Sequence, residues 1–210
     1  MTVPAERVPR RRSNTRARLI EAAREVFAAR GLHGATVDDL VAAAGFTRGA
    51  FYSNFSTMEE VFFALFEQQS AEMIALARDA VADIPDEDFG FHSVGLVLDR
   101  LRPLGRQWYL IHSEFVLHAL RSPRMAAVFL DHRRRWGAEL AELVTGALRR
   151  LHRRATVPPE QLVEVLFSLY IDSLAQEHLG AWPDGPGRMI EDVIPAVLTG
   201  LSEPDPRSPL

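Results

Sequence analysis

The chain contains no cysteine. Disulfides, zinc–thiolate sites, iron–sulfur clusters and thiol nucleophiles are excluded with it. Lysine is missing too, so all 24 basic residues are arginine. A lysine-free chain carries neither the phosphate-binding lysine of a P-loop nor a Schiff-base lysine. No apolar run reaches the roughly 20 residues that a membrane-spanning helix needs. The basic N-terminus is not followed by the apolar stretch of a signal peptide. Neither Gly-x-Ser-x-Gly nor Gly-x-Gly-x-x-Gly occurs. An enzyme therefore has no constellation of residues to rest on. The expectation is a cytoplasmic, non-enzymatic protein with no cofactor and no membrane contact.

What is present is charge, unevenly placed. The 210 residues carry a net charge of −4, yet the first twenty hold six arginines against one acid, Glu6. Residues 61–210 hold 15 arginines against 21 acids. A positive head on an acidic body suits a molecule that meets a polyanion at one end. Residues 1–12, with two prolines and Arg7, Arg10, Arg11 and Arg12, show no apolar period and read as a disordered basic arm. The arm is either a solvated tail or a contact to DNA backbone or minor groove.

The stretch Thr36–Phe55 organises the rest. Thr36 is a good N-cap, with Asp39 at capping-box distance. Gly45 tolerates the positive φ that ends a helix sharply. Thr47 then caps a second helix, and Val37, Leu40, Ala44, Phe51 and Phe55 supply a small core. This is the pattern of a helix-turn-helix, whose second helix enters the DNA major groove. Ahead of it, Ser13 or Asn14 caps a bracing helix that ends at Gly31, with Ile20, Ala23 and Phe27 as its buried stripe.

Residues 15–66 resemble the DNA-binding domain of the TetR family of one-component transcriptional regulators. The resemblance rests on Thr15-Arg16…Ile20…Ala23…Phe27…Gly31, on Gly34-Ala35-Thr36-Val37, on Ala44-Gly45-Phe46-Thr47-Arg48-Gly49 and on Tyr52-Ser53-Asn54-Phe55. One position departs from the family pattern: Met58 stands where a lysine is usual at the start of the fourth helix. The candidate DNA-binding residues are Thr36, Thr47, Arg48, Gly49, Tyr52, Ser53 and Asn54. Arg48, at the start of the recognition helix, reads a guanine edge or contacts phosphate. Tyr52 is a phosphate contact in the family pattern and also a half-buried core ring. Thr36 and Thr47 cap their helices and lie where backbone N–H groups favour phosphate. Asn54 contacts a base edge or phosphate, or is simply exposed.

The remainder reads as helices. They are expected at 57–83, 88–101, 106–121, 123–154, 158–179 and 188–201, with Pro103 and Gly105 as punctuation and 182–187 as a loop. Pro195 is expected to kink or split the last helix. The expected fold is all-α with about nine helices: arm 1–12, helix-turn-helix domain 13–56, regulatory and dimerisation body 57–202 and frayed tail 203–210. No β-pattern is evident.

The resemblance implies an effector pocket inside the body and a dimer built from the last two long helices. Two segments mix large rings with polar tips, as ligand pockets do. They supply Trp108, His112, Phe115, Phe129, Phe167 and Tyr170 as lining candidates, against ordinary helical core. Residues 162–174 leave almost no polar face, so that helix is covered on all sides, either by the core and a second subunit or as the central helix of a monomer. Interface candidates are Leu162, Leu166, Leu169, Leu174, Val193, Val197 and Leu201. The seven histidines are scattered without metal-ligand spacing, and no metal is expected. The expected partners are a double-stranded DNA operator, a small-molecule effector and a second copy of the chain. A DNA-binding regulator without a small ligand, gated by a protein partner or constitutive, is the alternative.

Overall fold

The computed structural model describes residues 8–180 and 192–207, with side chains from Ser13 onward. The expected arm residues 1–7, the loop 182–187 and the start of the last helix, 188–191, lie outside the described residues. Eight α-helices, one 3-10 turn and two short strands follow in order among the described residues. They are α1 (Val8–Gly34), α2 (Val37–Ala44), α3 (Arg48–Tyr52), α4 (Met58–Ala82), a turn at Asp86–Asp88, α5 (Ser93–Arg121), α6 (Pro123–Arg150), β1 (Arg153–Ala155), α7 (Pro159–His178), α8 (Ile194–Gly200) and β2 (Ser202–Pro204). The protein is all-α in class.

The chain divides into two compact units. The first is Met1–Gln69 with Leu110–Phe115. The second is Ser70–Tyr109 with Val116–Leu210.

In the first unit, α1 begins at Val8, earlier than the cap expected at Ser13 or Asn14. Gly31 interrupts it with φ 67° and ψ 175°, a backbone that residues with a Cβ rarely adopt. The carboxylate of Glu114 fills the gap, accepting the Leu32 N–H at 3.2 Å. Leu19, Ile20, Ala23 and Phe27 on α1 meet Leu40, Val41 and Ala44 on α2, Phe51 on α3 and Phe62 and Phe66 on α4 in a buried core. Phe27 and Phe62 pack edge to face at 5.1 Å, and Phe115 does the same with Phe66 at 4.8 Å.

Two corrections concern α5, which begins at Ser93 rather than at 88. The expected break at Pro103–Gly105 is absent, and one helix runs from Ser93 to Arg121. Pro103 is exposed. Gly105 is there for close approach: a Cβ on it would lie 2.8 Å from Leu174 Cδ2 of α7. Turn-forming residues were read for their local preference, whereas here a tertiary contact fixes the glycine. Arg150 ends α6 by gathering the segment after α4. Its guanidinium donates to the carbonyls of Val81 at 2.7 Å and Ile84 at 2.6 Å and to Asp86 at 2.8 Å, and lies 3.8 Å over the Phe89 ring.

Past α6 the chain departs again from the helical expectation. Residues 153–155 pair antiparallel with 202–204, Arg154 facing Glu203. Three-residue strands have no alternation to read, and the segment expected as a frayed tail begins inside one of them. Residues 208–210 of that tail lie outside the described residues. Pro195 sits in the first turn of α8, directly after two π-helical residues, 192 and 193, and the helix expected to lead into it at 188–191 lies outside the described residues.

Gly137 in α6 has nothing within 4 Å of the position a Cβ would take, unlike Gly105. Gly137→Ala should stabilise the fold by about 0.4–1 kcal/mol through backbone entropy. Gly105→Ala should fall below Gly137→Ala by roughly 1–3 kcal/mol because of overpacking against Leu174. Urea unfolding of the two variants checks this, and equal midpoints would contradict it.

Candidate functional site

The helix-turn-helix forms as its residues dictate. Thr36 Oγ1 accepts the Asp39 N–H at 3.2 Å, and the Asp39 carboxylate accepts the Thr36 N–H at 3.0 Å, closing the capping box. The same carboxylate accepts the Thr36 hydroxyl at 2.7 Å and pairs with Arg30 at 2.8 Å. The hydrogen bonds from Thr36 hold the Asp39 carboxyl below the usual carboxylate range. Gly45 is left-handed at φ 70°, ψ 35°, and its N–H returns to the last turn of α2. Thr47 caps α3 by accepting the Ala50 N–H at 3.3 Å.

A five-residue helix makes too few hydrogen bonds to stand alone in water. Phe51 and Phe55 anchor α3 from below, 0% and 2% exposed. Two arginines of α1 hold the rear: Arg16 stacks on Phe55 at 4.7 Å, and Arg18 stacks on Phe46 at 4.7 Å and donates to the Ala44 carbonyl at 3.2 Å. Their structural role was missed at the sequence level, because arginines in a basic N-terminal region read as charge alone.

With that anchoring, Thr36, Thr47, Arg48, Gly49, Tyr52 and Ser53 are all exposed. Tyr52 is 58% exposed, with its ring edge-on to Phe51 at 5.1 Å. Two candidates are more structural than expected. The Ser53 hydroxyl donates to the Gly49 carbonyl at 2.8 Å, and Asn54 donates its amide to the Ala50 carbonyl at 2.8 Å. Both side chains fold back on the end of α3, and Asn54 is half-buried. The structure also adds a residue to the set: Asp38, whose carboxylate engages Arg48. An acid in the first turn of a helix is sufficiently explained by the helix dipole, so sequence gave no reason to single it out.

The second unit holds a cavity of about 210 Å³. Its wall comes from α4, α5, α6, α7 and α8 and includes Met73, Leu101, Trp108, Trp136, Phe167 and Tyr170. Among the described residues no acid, arginine or histidine lines it, and its surface is almost wholly apolar. Trp136 packs edge to face on Phe167 at 4.7 Å. Burial pushes the Tyr170 phenol well above the ordinary tyrosine range, so it is neutral at pH 7. Of the six predicted lining residues, Trp108, Phe167 and Tyr170 reach this wall. Phe129 does not line it, and His112 and Phe115 belong to the first unit, Phe115 as fully buried core. A helical period cannot tell two cores apart when one helix serves both.

The interface candidates divide as well. Leu162 and Leu174 are 0% and 3% exposed within the single chain, so they are its own core. Leu166, Leu169, Val197 and Leu201 are half-buried beside the cluster of Leu148, Leu162, Ile194 and Leu198. Val193 is 37% exposed, and Val165, within the apolar stretch 162–174 but not among the interface candidates, is 41% exposed.

Comparison with known proteins gives a consistent result. A family model described as "Bacterial regulatory proteins, tetR family" matches residues 19–65. The HTH-type transcriptional regulator TtgR of Pseudomonas putida is 30% identical over 207 residues, covering 89% of this chain and 90% of that protein. The HTH-type transcriptional repressor AcnR of Corynebacterium efficiens is 26% identical over 194 residues, covering 91% and 95%. Among solved structures, a transcriptional regulator from Rhodococcus sp. RHA1 superposes with a TM-score of 0.71 at 17% identity, covering 89% of this chain and 95% of that one.

Met58 opens α4 and is half-buried. Met58→Lys should raise DNA affinity and steepen the dependence of log K on log salt by up to about 0.9 per phosphate newly neutralised. Affinity over a salt series checks this. An unchanged slope would mean that position 58 does not approach the backbone.

Proposed function

Because this chain belongs to the tetR family of bacterial regulatory proteins, and so is a DNA-binding transcriptional regulator, we propose that it acts as a ligand-responsive repressor. It binds a pseudo-palindromic operator as a homodimer in the cytoplasm and is released by a small, neutral, apolar effector. Arg48, Thr47, Gly49 and Tyr52 present the DNA-facing surface. Thr36 and the N-termini of α2 and α4 lie where phosphate is favoured. Ser53 and Asn54 shape the end of α3 through bonds to its carbonyls, and each keeps hydrogen-bonding capacity, the Ser53 oxygen as an acceptor and the second amide N–H of Asn54 as a donor.

The observation that carries the ligand response is the apolar cavity. A charged molecule entering a wall with no acid, arginine or histidine among the described residues loses its hydration without a partner of opposite charge, at a cost of several kcal/mol. A neutral molecule gains dispersion contacts with Trp108, Trp136 and Phe167 and displaces only poorly held water. An engineered apolar cavity of about 150 Å³ holds benzene, so about 210 Å³ suits an effector of one or two fused rings or an equivalent aliphatic body. An effector shifts the molecule off DNA only by binding the DNA-incompetent conformation more tightly than the competent one. Dimerisation is supported by apolar residues of α7, Val165, Leu166 and Leu169, that the single chain leaves partly exposed. No helix among the described residues is long and apolar enough to cross a membrane.

The test is a matched set of ligands: toluene, naphthalene, benzoate and phenyltrimethylammonium. The neutral pair should raise the melting temperature by roughly 5–10 °C at a hundred times Kd and release operator DNA. The two ions should do neither. In sedimentation the parent should run at twice the chain mass, and Val165→Asp should run lighter. A set in which no neutral ligand binds would favour the regulator gated without a small molecule, and a monomeric parent would remove the dimer.

A further inference from the structure

Asp38 of α2 and Arg48 of α3 meet through two hydrogen bonds, Nε to Oδ1 at 2.5 Å and Nη2 to Oδ2 at 2.7 Å. Their side chains are 64% and 62% exposed. An ion pair this open to water contributes little to stability, and the α2–α3 packing already rests on Leu40, Ala44 and Phe51. The pair is therefore poorly explained as a staple of the fold. Its geometry suits another task.

A guanidinium has two hydrogen-bonding edges in one plane. Asp38 occupies the side edge, formed by Nε–H and one Nη2–H. The end edge, with one N–H each from Nη1 and Nη2, is left over. Those are the two parallel donors that match guanine O6 and N7 in the major groove. Held this way, Arg48 presents a fixed fork, and binding need not order a long side chain first. The neighbouring acid cannot take this part, because Asp39 is committed to the Thr36 cap and Arg30. Asp38 also places a negative charge on the surface that meets phosphate, and the arginine holds that carboxyl ionised below its usual range. It thus weakens attraction to any DNA while sharpening the response to one base.

We propose that Asp38 is a positioning residue that fixes the guanine preference of Arg48. The inference rests on the reading that Arg48 faces base edges.

The experiment selects bound DNA from a random pool with the parent, Asp38→Asn and Arg48→Ala, then measures affinity for the selected operator, for the operator with that guanine replaced, and for scrambled DNA. Asp38→Ser serves as a second variant, keeping a short polar residue in the first turn of α2, and a thermal melt of each confirms folding. Asp38→Asn should lose about tenfold of its preference at one position of each half-site, while its affinity for scrambled DNA rises. Asp38→Glu should restore part of the preference. If Asp38→Asn and Asp38→Ser keep the preference while Arg48→Ala loses it, the positioning role is overturned and the reading of Arg48 stands. A uniform loss on all DNA would make Asp38 merely structural and would also overturn it. If Arg48→Ala itself keeps the preference, the reading of Arg48 fails and the role of Asp38 falls with it.

Discussion

Burial of Phe51 and Phe55 is the constraint on which the DNA-facing surface depends. The five residues of α3 make too few internal hydrogen bonds to persist in water. They are helical because two aromatic rings beside them, Phe51 and Phe55, are almost fully buried. Everything exposed on the other side takes its position from that anchor. Gly45 makes the chain reverse in time for it, and Thr47 starts the helix at the right residue. Arg16 and Arg18 stack against the same corner from behind. A short recognition helix held by a deep anchor lets surface residues vary without endangering the fold.

The second unit meets the opposite condition. An apolar space of about 210 Å³ lies between helices of this unit. An apolar occupant would complete contacts that the lining side chains leave unmade. Rings of three aromatic residues, Trp108, Trp136 and Phe167, supply much of the wall. They offer large contact area with little conformational entropy to lose.

What was legible in the sequence was local. Caps at Thr36 and Thr47, the reversal at Gly45 and the interruption at Gly31 each follow from one residue's chemistry and its near neighbours. The apolar stripe of α1 and the small core of α2 and α3 followed for the same reason. What was not legible depended on contacts far apart in sequence. Gly105 looked like a breaker because its partner, Leu174, is 69 positions away along the chain. His112 and Phe115 share their helix with Trp108 and differ only in which core they face. Leu162 and Leu174 are as apolar as an interface residue must be, and only the folded chain assigns them inward. Strands of three residues gave no period at all.

The central claim is that occupancy of the cavity and occupancy of DNA exclude one another energetically. Linkage makes that claim symmetric: whatever factor the effector takes from operator affinity, the operator must take from effector affinity. The direct measurement is calorimetric titration of naphthalene into the free protein and into the protein saturated with its selected operator, beside the operator affinity with and without naphthalene. The account predicts weaker naphthalene binding to the DNA complex, by roughly 5–150-fold, matched by the loss in operator affinity. Equal naphthalene affinity in both states would contradict it, because a cavity that does not sense DNA cannot govern it.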